Sequence, residues 1–125
     1  MMGFTKKSTM WYDLTVRQAN DTAESYAEVD VPADSAWFDG HFPGNPVLPG
    51  IAQLGMVFEL IASTCAGSLR VREVSRVRFK QIIAPGDRLI VTAAPKAAKE
   101  GVYTFRITKN DNLVCSGNMT VEAIE

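Results

Sequence analysis

The chain has 125 residues, the length of a single domain, and 46% of them are hydrophobic. A net charge of −1 supplies no field that would draw the whole molecule to nucleic acid or a membrane surface. Two cysteines and one histidine leave neither a disulfide scaffold nor a zinc site. The longest apolar run, residues 51–62, is interrupted by Gln53 and Glu59 and is too short to span a bilayer. No apolar stretch of signal-peptide length precedes Trp11. The expectation is a soluble cytoplasmic protein whose residues 1–125 form one domain.

Residues 1–21 read as an irregular entry segment with at most one short strand, at 10–16. Residues 23–31 alternate: Ala23, Ala27, Val29 and Val31 fall on one side, Glu24, Glu28 and Asp30 on the other. That two-residue period predicts a half-buried strand, which Pro32 ends. Residues 33–38 suit a short helical turn. Pro43, Gly44, Pro46 and Pro49 make 41–49 a constrained loop. Pro49-Gly50 then opens a helix, expected to run to about Ala66 and stop at Gly67.

From there the pattern is strands. They are expected at 69–83, 88–94, 102–108 and 113–124, separated by Pro85-Gly86-Asp87, by a turn at 96–101, and by the polar hairpin Lys109-Asn110-Asp111-Asn112. One long helix against an antiparallel sheet, an α+β architecture, is the economical packing. Ile51, Leu54, Val57, Phe58, Leu60 and Ile61 cover more than one face of that helix. A helix apolar most of the way round is buried, and a sheet wrapped around it with a second copy completing the enclosure satisfies this.

HFPGNPVLPG, residues 41–50, holds the only histidine, His41. The block resembles the signature of the 3-hydroxyacyl-[acyl-carrier-protein] dehydratases of fatty acid synthesis. Trp37-Phe38-Asp39-Gly40 before it, and Arg78-Phe79-Lys80 and Ala84-Pro85-Gly86-Asp87 after it, resemble that family too. The likeness runs from about Ala23 to the end. It implies the hot-dog fold, a curved antiparallel sheet around one long central helix, dimeric, with active sites at the dimer interface. It implies two catalysts: a loop histidine, here His41, and a carboxylate on the partner subunit's central helix. That carboxylate belongs five residues after the glycine of the Pro-Gly pair, and this chain has Gly55 there.

Dehydrating a 3-hydroxyacyl thioester to a trans-2-enoyl thioester needs a base beside the thioester carbonyl, an acid for the departing hydroxyl, and donors for the enolate-like oxygen. No step calls for a metal or cofactor. A neutral imidazole suits the first task, although outside its motif His41 reads equally well as a surface or capping residue. The N–H of Gly50 has no intrahelical acceptor, and the helix dipole favours negative charge there, which suits an oxyanion. Pro-Gly pairs also simply start helices.

Glu59 lies four residues beyond Gly55, within about 40° of the same direction and about 6 Å further along the axis. It is a candidate displaced acid, or else a helix-edge glutamate reaching water or an arginine among residues 70–78. Gly55 costs about 1 kcal/mol relative to Ala in a helix interior, for which either close helix approach across a dimer or room for substrate compensates. Gln53 is a weaker candidate on another face. Arg70, Arg72, Arg76, Arg78 and Lys80 recur at even positions, which predicts one shared face. That face is either solvated or a dock for an acidic acyl carrier protein or its phosphopantetheine phosphate.

The reading is a homodimeric dehydratase acting on acyl carrier protein or CoA thioesters. His41 is its base, Gly50 its oxyanion donor, and Glu59 or water its acid, with Gly55 facing the substrate. The alternatives are an acyl-thioesterase on the same fold and a non-catalytic acyl-carrier-binding subunit.

Overall fold

The structure, a computed structural model, describes residues 4–8, 13–18, 24–31, 50–65, 67–84 and 86–124. These residues form seven strands and one helix: β1 (Phe4–Ser8), β2 (Asp13–Gln18), β3 (Ser25–Asp30), α1 (Gly50–Ser63), β4 (Leu69–Phe79), β5 (Arg88–Pro95), β6 (Val102–Lys109) and β7 (Asn112–Ala123). The strands make one antiparallel sheet in the order β1-β2-β3-β5-β6-β7-β4. This is the α+β arrangement expected.

The entry segment is not irregular. β1 pairs with β2 from Phe4↔Arg17 to Ser8↔Asp13, and β2 continues the sheet onto β3. Leu14 and Val16 of β2 are buried at 2% and 7% exposure. The short strand expected at 10–16 corresponds to β2, placed at Asp13–Gln18, whereas FTKKS has no strand pattern of its own. The backbone ladder with β2 makes it a strand.

Directly paired residues project to the same face of a sheet. The register therefore strings Val16, Ala27, Val91, Ile107, Cys115 and Phe79 into one core-side row across β2, β3, β5, β6, β7 and β4. The first five are buried, and Phe79, on the edge strand, is 52% exposed. Helix α1 lies over this face, packed mainly on β5 and also on β3, β2 and β4. Met56, Val57, Leu60 and Ile61 are its fully buried contribution. On β3, Ala27 and Val29 point inward and Glu28 and Asp30 do not, as the alternation predicts.

The helix stops at Ser63, short of Ala66. Thr64 N–H and Cys65 N–H donate to the carbonyls three residues back, on Ile61 and Ala62, at 3.1 and 3.3 Å. The Ser63 and Thr64 hydroxyls donate to the carbonyls of Leu60 and Ile61. Such hydroxyls compete with the helical ladder, so the last turn tightens before Gly67 turns the chain at φ +82°.

β4 is shorter than the expected 69–83 and is not one regular strand. Its pairing with β7 slips between Val71 and Glu73 and between Ser75 and Arg78. Arg76 takes φ +55° in the second bulge. A bulge inserts an unmatched residue and shifts the alternation, so the five basic residues do not share one face. Arg70 and Arg78 pair with Glu122 and Ser116 on the outer side, together with Glu73 and Ser75. Arg72 and Arg76 occupy the bulges, and Lys80 lies beyond the strand. All five are exposed, and Arg70 Nε meets Glu122 Oε1 at 3.0 Å.

After β4 the chain is anchored at the turn around Gly86. Asp87 Oδ2 accepts from Ala84 N–H at 2.7 Å and from Lys109 Nζ at 3.1 Å. The expected hairpin between β6 and β7 is present, with Asn110 and Asp111 both at positive φ, as a type I′ turn requires.

The two cysteines occupy different environments. Cys115 is fully enclosed, and burial pushes its thiol from 9.0 up to about 11. Cys65, half-buried at the helix end, lies 3.6 Å from the Tyr103 hydroxyl; that contact, then burial, raises the phenol above 10.0. The thiolate is the reactive form. In native protein at pH 8, an aromatic disulfide reagent should titrate one thiol, Cys65, with Cys115 reacting only on unfolding; equal rates would contradict this. The native state holds the Cys115 proton more tightly than the unfolded chain, so its contribution to stability is full below pH 9 and lost between about pH 9 and 11.

Candidate functional site

Three of the four sequence-predicted site residues lie on α1: Gly50 at its start, Gly55 in its middle and Glu59 one turn later. All three are half-buried. His41 lies outside the described residues. The first turn of α1 carries no acidic residue, so no side chain there neutralises the positive end of the helix dipole.

Gly50 has a neighbour that periodicity did not reveal. A Cβ at residue 50 would lie 2.8 Å from Phe79 Cζ and 3.2 Å from its Cε1. The ring therefore rests against the first residue of the helix, and the glycine permits that approach. Reading 69–83 as a plain strand made Phe79 one more alternating residue. The signal for it was a lone aromatic in the polar run Arg78-Phe79-Lys80-Gln81.

Gly55 is different. A Cβ there would meet nothing within 4 Å among the described residues. Its missing side chain is therefore not required by packing within the described part of the chain. Glu59 follows on the same side of the helix, with its Oε2 enclosed. Gln53 is on another side and is buried at 3% exposure. The helix thus presents an N–H donor at one end and, three turns or less away, a partly sheltered carboxylate beside space that no described residue fills.

The chain matches the ApeI-like family model, described as ApeI dehydratase, over residues 16–118. It is 34% identical over 98 residues to the 3-hydroxyacyl-[acyl-carrier-protein] dehydratase FabZ of Chloroflexus aggregans, covering 71% of this chain and 68% of that protein. Its fold is similar to that of a chain in the dehydratase heterocomplex ApeI:P from Xenorhabdus doucetiae, with a TM-score of 0.74, 22% identity, and coverage of 96% of this chain and 98% of that one. It is also similar to a mutant thioesterase from Pseudomonas aeruginosa, with a TM-score of 0.62, 19% identity, and coverage of 85% and 78%. The fold alone, shared with a thioesterase, does not choose a reaction. The family match spans most of the sheet and all of the helix, and the chain belongs to the ApeI-like dehydratase family, of the 3-hydroxyacyl-[acyl-carrier-protein] dehydratase type, on a hot-dog fold.

Proposed function

We propose that the protein dehydrates 3-hydroxyacyl thioesters, carried on acyl carrier protein or CoA, to trans-2-enoyl thioesters in the cytoplasm. The observation that carries the reading is the dehydratase family match over residues 16–118, which includes His41 and all of α1. His41 removes the proton beside the thioester carbonyl. The Gly50 N–H, at the positive end of the helix, donates to the oxygen that gains charge. Glu59, or a water beside it, protonates the leaving hydroxyl, and the open space at Gly55 admits the substrate.

The working unit is a homodimer. β4, eleven residues long, is an edge of the sheet. Its core-side residues Val71 and Phe79 remain 41% and 52% exposed, and an open apolar edge calls for a cover. Arg78 and Lys80, exposed on either side of Phe79, suit an acidic carrier.

The test is an assay of 3-hydroxybutyryl thioesters of CoA and of acyl carrier protein. Reversible formation of the enoyl thioester without release of free thiol supports the proposal. Thiol release would assign hydrolysis instead. Light scattering at micromolar concentration should give a dimer mass, and a monodisperse monomer would contradict the assembly. One observation favours a second reading, a non-catalytic acyl-carrier-binding subunit: glycine stands at residue 55. Carrier binding without turnover would support it.

A further inference from the structure

Phe79 closes the core-side row at the open edge of the sheet, with about half of its surface exposed. Its backbone is held on both sides. Upstream, Arg78 pairs with Ser116 just after the bulge. Downstream, Lys80 N–H and Gln81 N–H donate to the Val114 carbonyl at 2.7 and 3.4 Å. The ring tip lies where a Cβ on residue 50 would need to be. An anchored aromatic ring thus stands in contact with the helix residue whose N–H has no intrahelical acceptor.

The ring has no acidic or basic group and takes no proton. Lying on the Cβ side of residue 50, it covers that flank of the first helical turn, and water kept from there cannot compete for or screen a hydrogen bond. It also restricts the directions from which a flat thioester can approach.

We infer that Phe79 is a positioning residue: its ring is the wall that turns the thioester carbonyl toward the Gly50 N–H. The inference rests on the dehydratase reading above. A wall that sets orientation acts on kcat more than on KM, because it contributes where the oxyanion forms and not where the acyl chain is gripped. It also couples Phe79 to Gly50. Gly50→Ala acts by pushing the ring aside, so it matters less once the ring is gone.

The experiment is steady-state turnover of 3-hydroxybutyryl thioesters, on CoA and on acyl carrier protein, by the full chain and by Phe79→Ala, Phe79→Leu, Gly50→Ala and the Gly50→Ala/Phe79→Ala double variant. Phe79→Ala should lower kcat about 10–100-fold with KM changed by less than about threefold. Phe79→Leu, which keeps a smaller apolar wall, should fall between it and the parent. Gly50→Ala should cost at least about tenfold in the parent and less than about threefold in the Phe79→Ala background, the non-additivity of residues in contact. Light scattering should show the same assembly for all of them.

An unchanged kcat in Phe79→Ala, fully multiplicative losses at residues 50 and 79, or a loss that tracks dissociation of the assembly overturns the inference. Should Phe79→Ala fail to fold, the kcat of Phe79→Leu decides by the same criterion. A parent inactive on both thioesters removes the dehydratase reading and this inference with it, before any variant is made. An active parent with an equally active Phe79→Ala removes the inference alone.

Discussion

His41→Ala should lower turnover of a 3-hydroxyacyl thioester by roughly 10²–10⁴, the contribution of a positioned general base. It should leave the circular dichroism spectrum and the unfolding midpoint unchanged. The expectation rests on chemistry and on sequence context. His41 is the only imidazole in the chain, and the sequence around it, Pro43, Gly44 and Pro46, restricts the backbone. Alternative bases among the described residues are carboxylates, lysines and thiols. Lysines are strongly basic and carry a proton at neutral pH, and Cys115 keeps its proton up to about pH 11. A base must be unprotonated to act, so the parent's rate should fall as the pH drops. That fall should be missing from the residual rate of His41→Ala. A variant with parental activity would remove the histidine from the mechanism.

Glu59→Gln should remove most of the dehydration, again by roughly 10²-fold or more, if Glu59 is the acid. The substitution keeps shape and hydrogen-bonding capacity and takes away the transferable proton, so a structural carboxylate would tolerate it far better. Gly55→Glu in that background should restore part of the rate. The space at residue 55 admits at least the first carbon of a new side chain, since a Cβ there meets nothing within 4 Å among the described residues. Gly55→Ala is the control. If only solvent or substrate occupies that space, the variant gains about 1 kcal/mol of stability, the helix-propensity difference between the two residues. A loss of stability would instead mean that the space is filled, by a second copy's helix or by residues outside the described ones. Parental activity in Glu59→Gln ends the displaced-acid idea. A parent without activity that gains it through Gly55→Glu alone would mean a dehydratase scaffold kept without its acid, the binding-subunit reading.

Where local pattern and structure agree, the signal lay within a few residues of chain. The alternation of Ala27, Val29 and Val31 against Glu28 and Asp30 is a property of β3 itself. The turn at Asn110 and Asp111 follows from the ease with which those side chains take positive φ. The buried helix follows from apolar residues on more than one face. The family resemblance was carried by short motifs, chiefly the ten contiguous residues 41–50.

The departures all depend on partners distant in the chain. β1 is a strand because β2 offers it a ladder thirteen to five residues away. The two bulges in β4 depend on β7, some forty residues later. At the second of them a Cβ on Gly117 would come within 3.1 Å of Val77 and 2.9 Å of the Phe105 ring, a close approach no window of neighbouring residues contains. Those bulges undid the single basic face predicted from even spacing.

By itself, then, the sequence determined the antiparallel sheet, the buried helix and the candidate catalytic positions, because periodicity and short motifs are written in adjacent residues. Tertiary structure alone decided that Phe79 meets Gly50 and that Gly55 faces space no described residue fills. Both are distances between segments that the sheet register and helix docking bring together, and register is a property of pairs of strands.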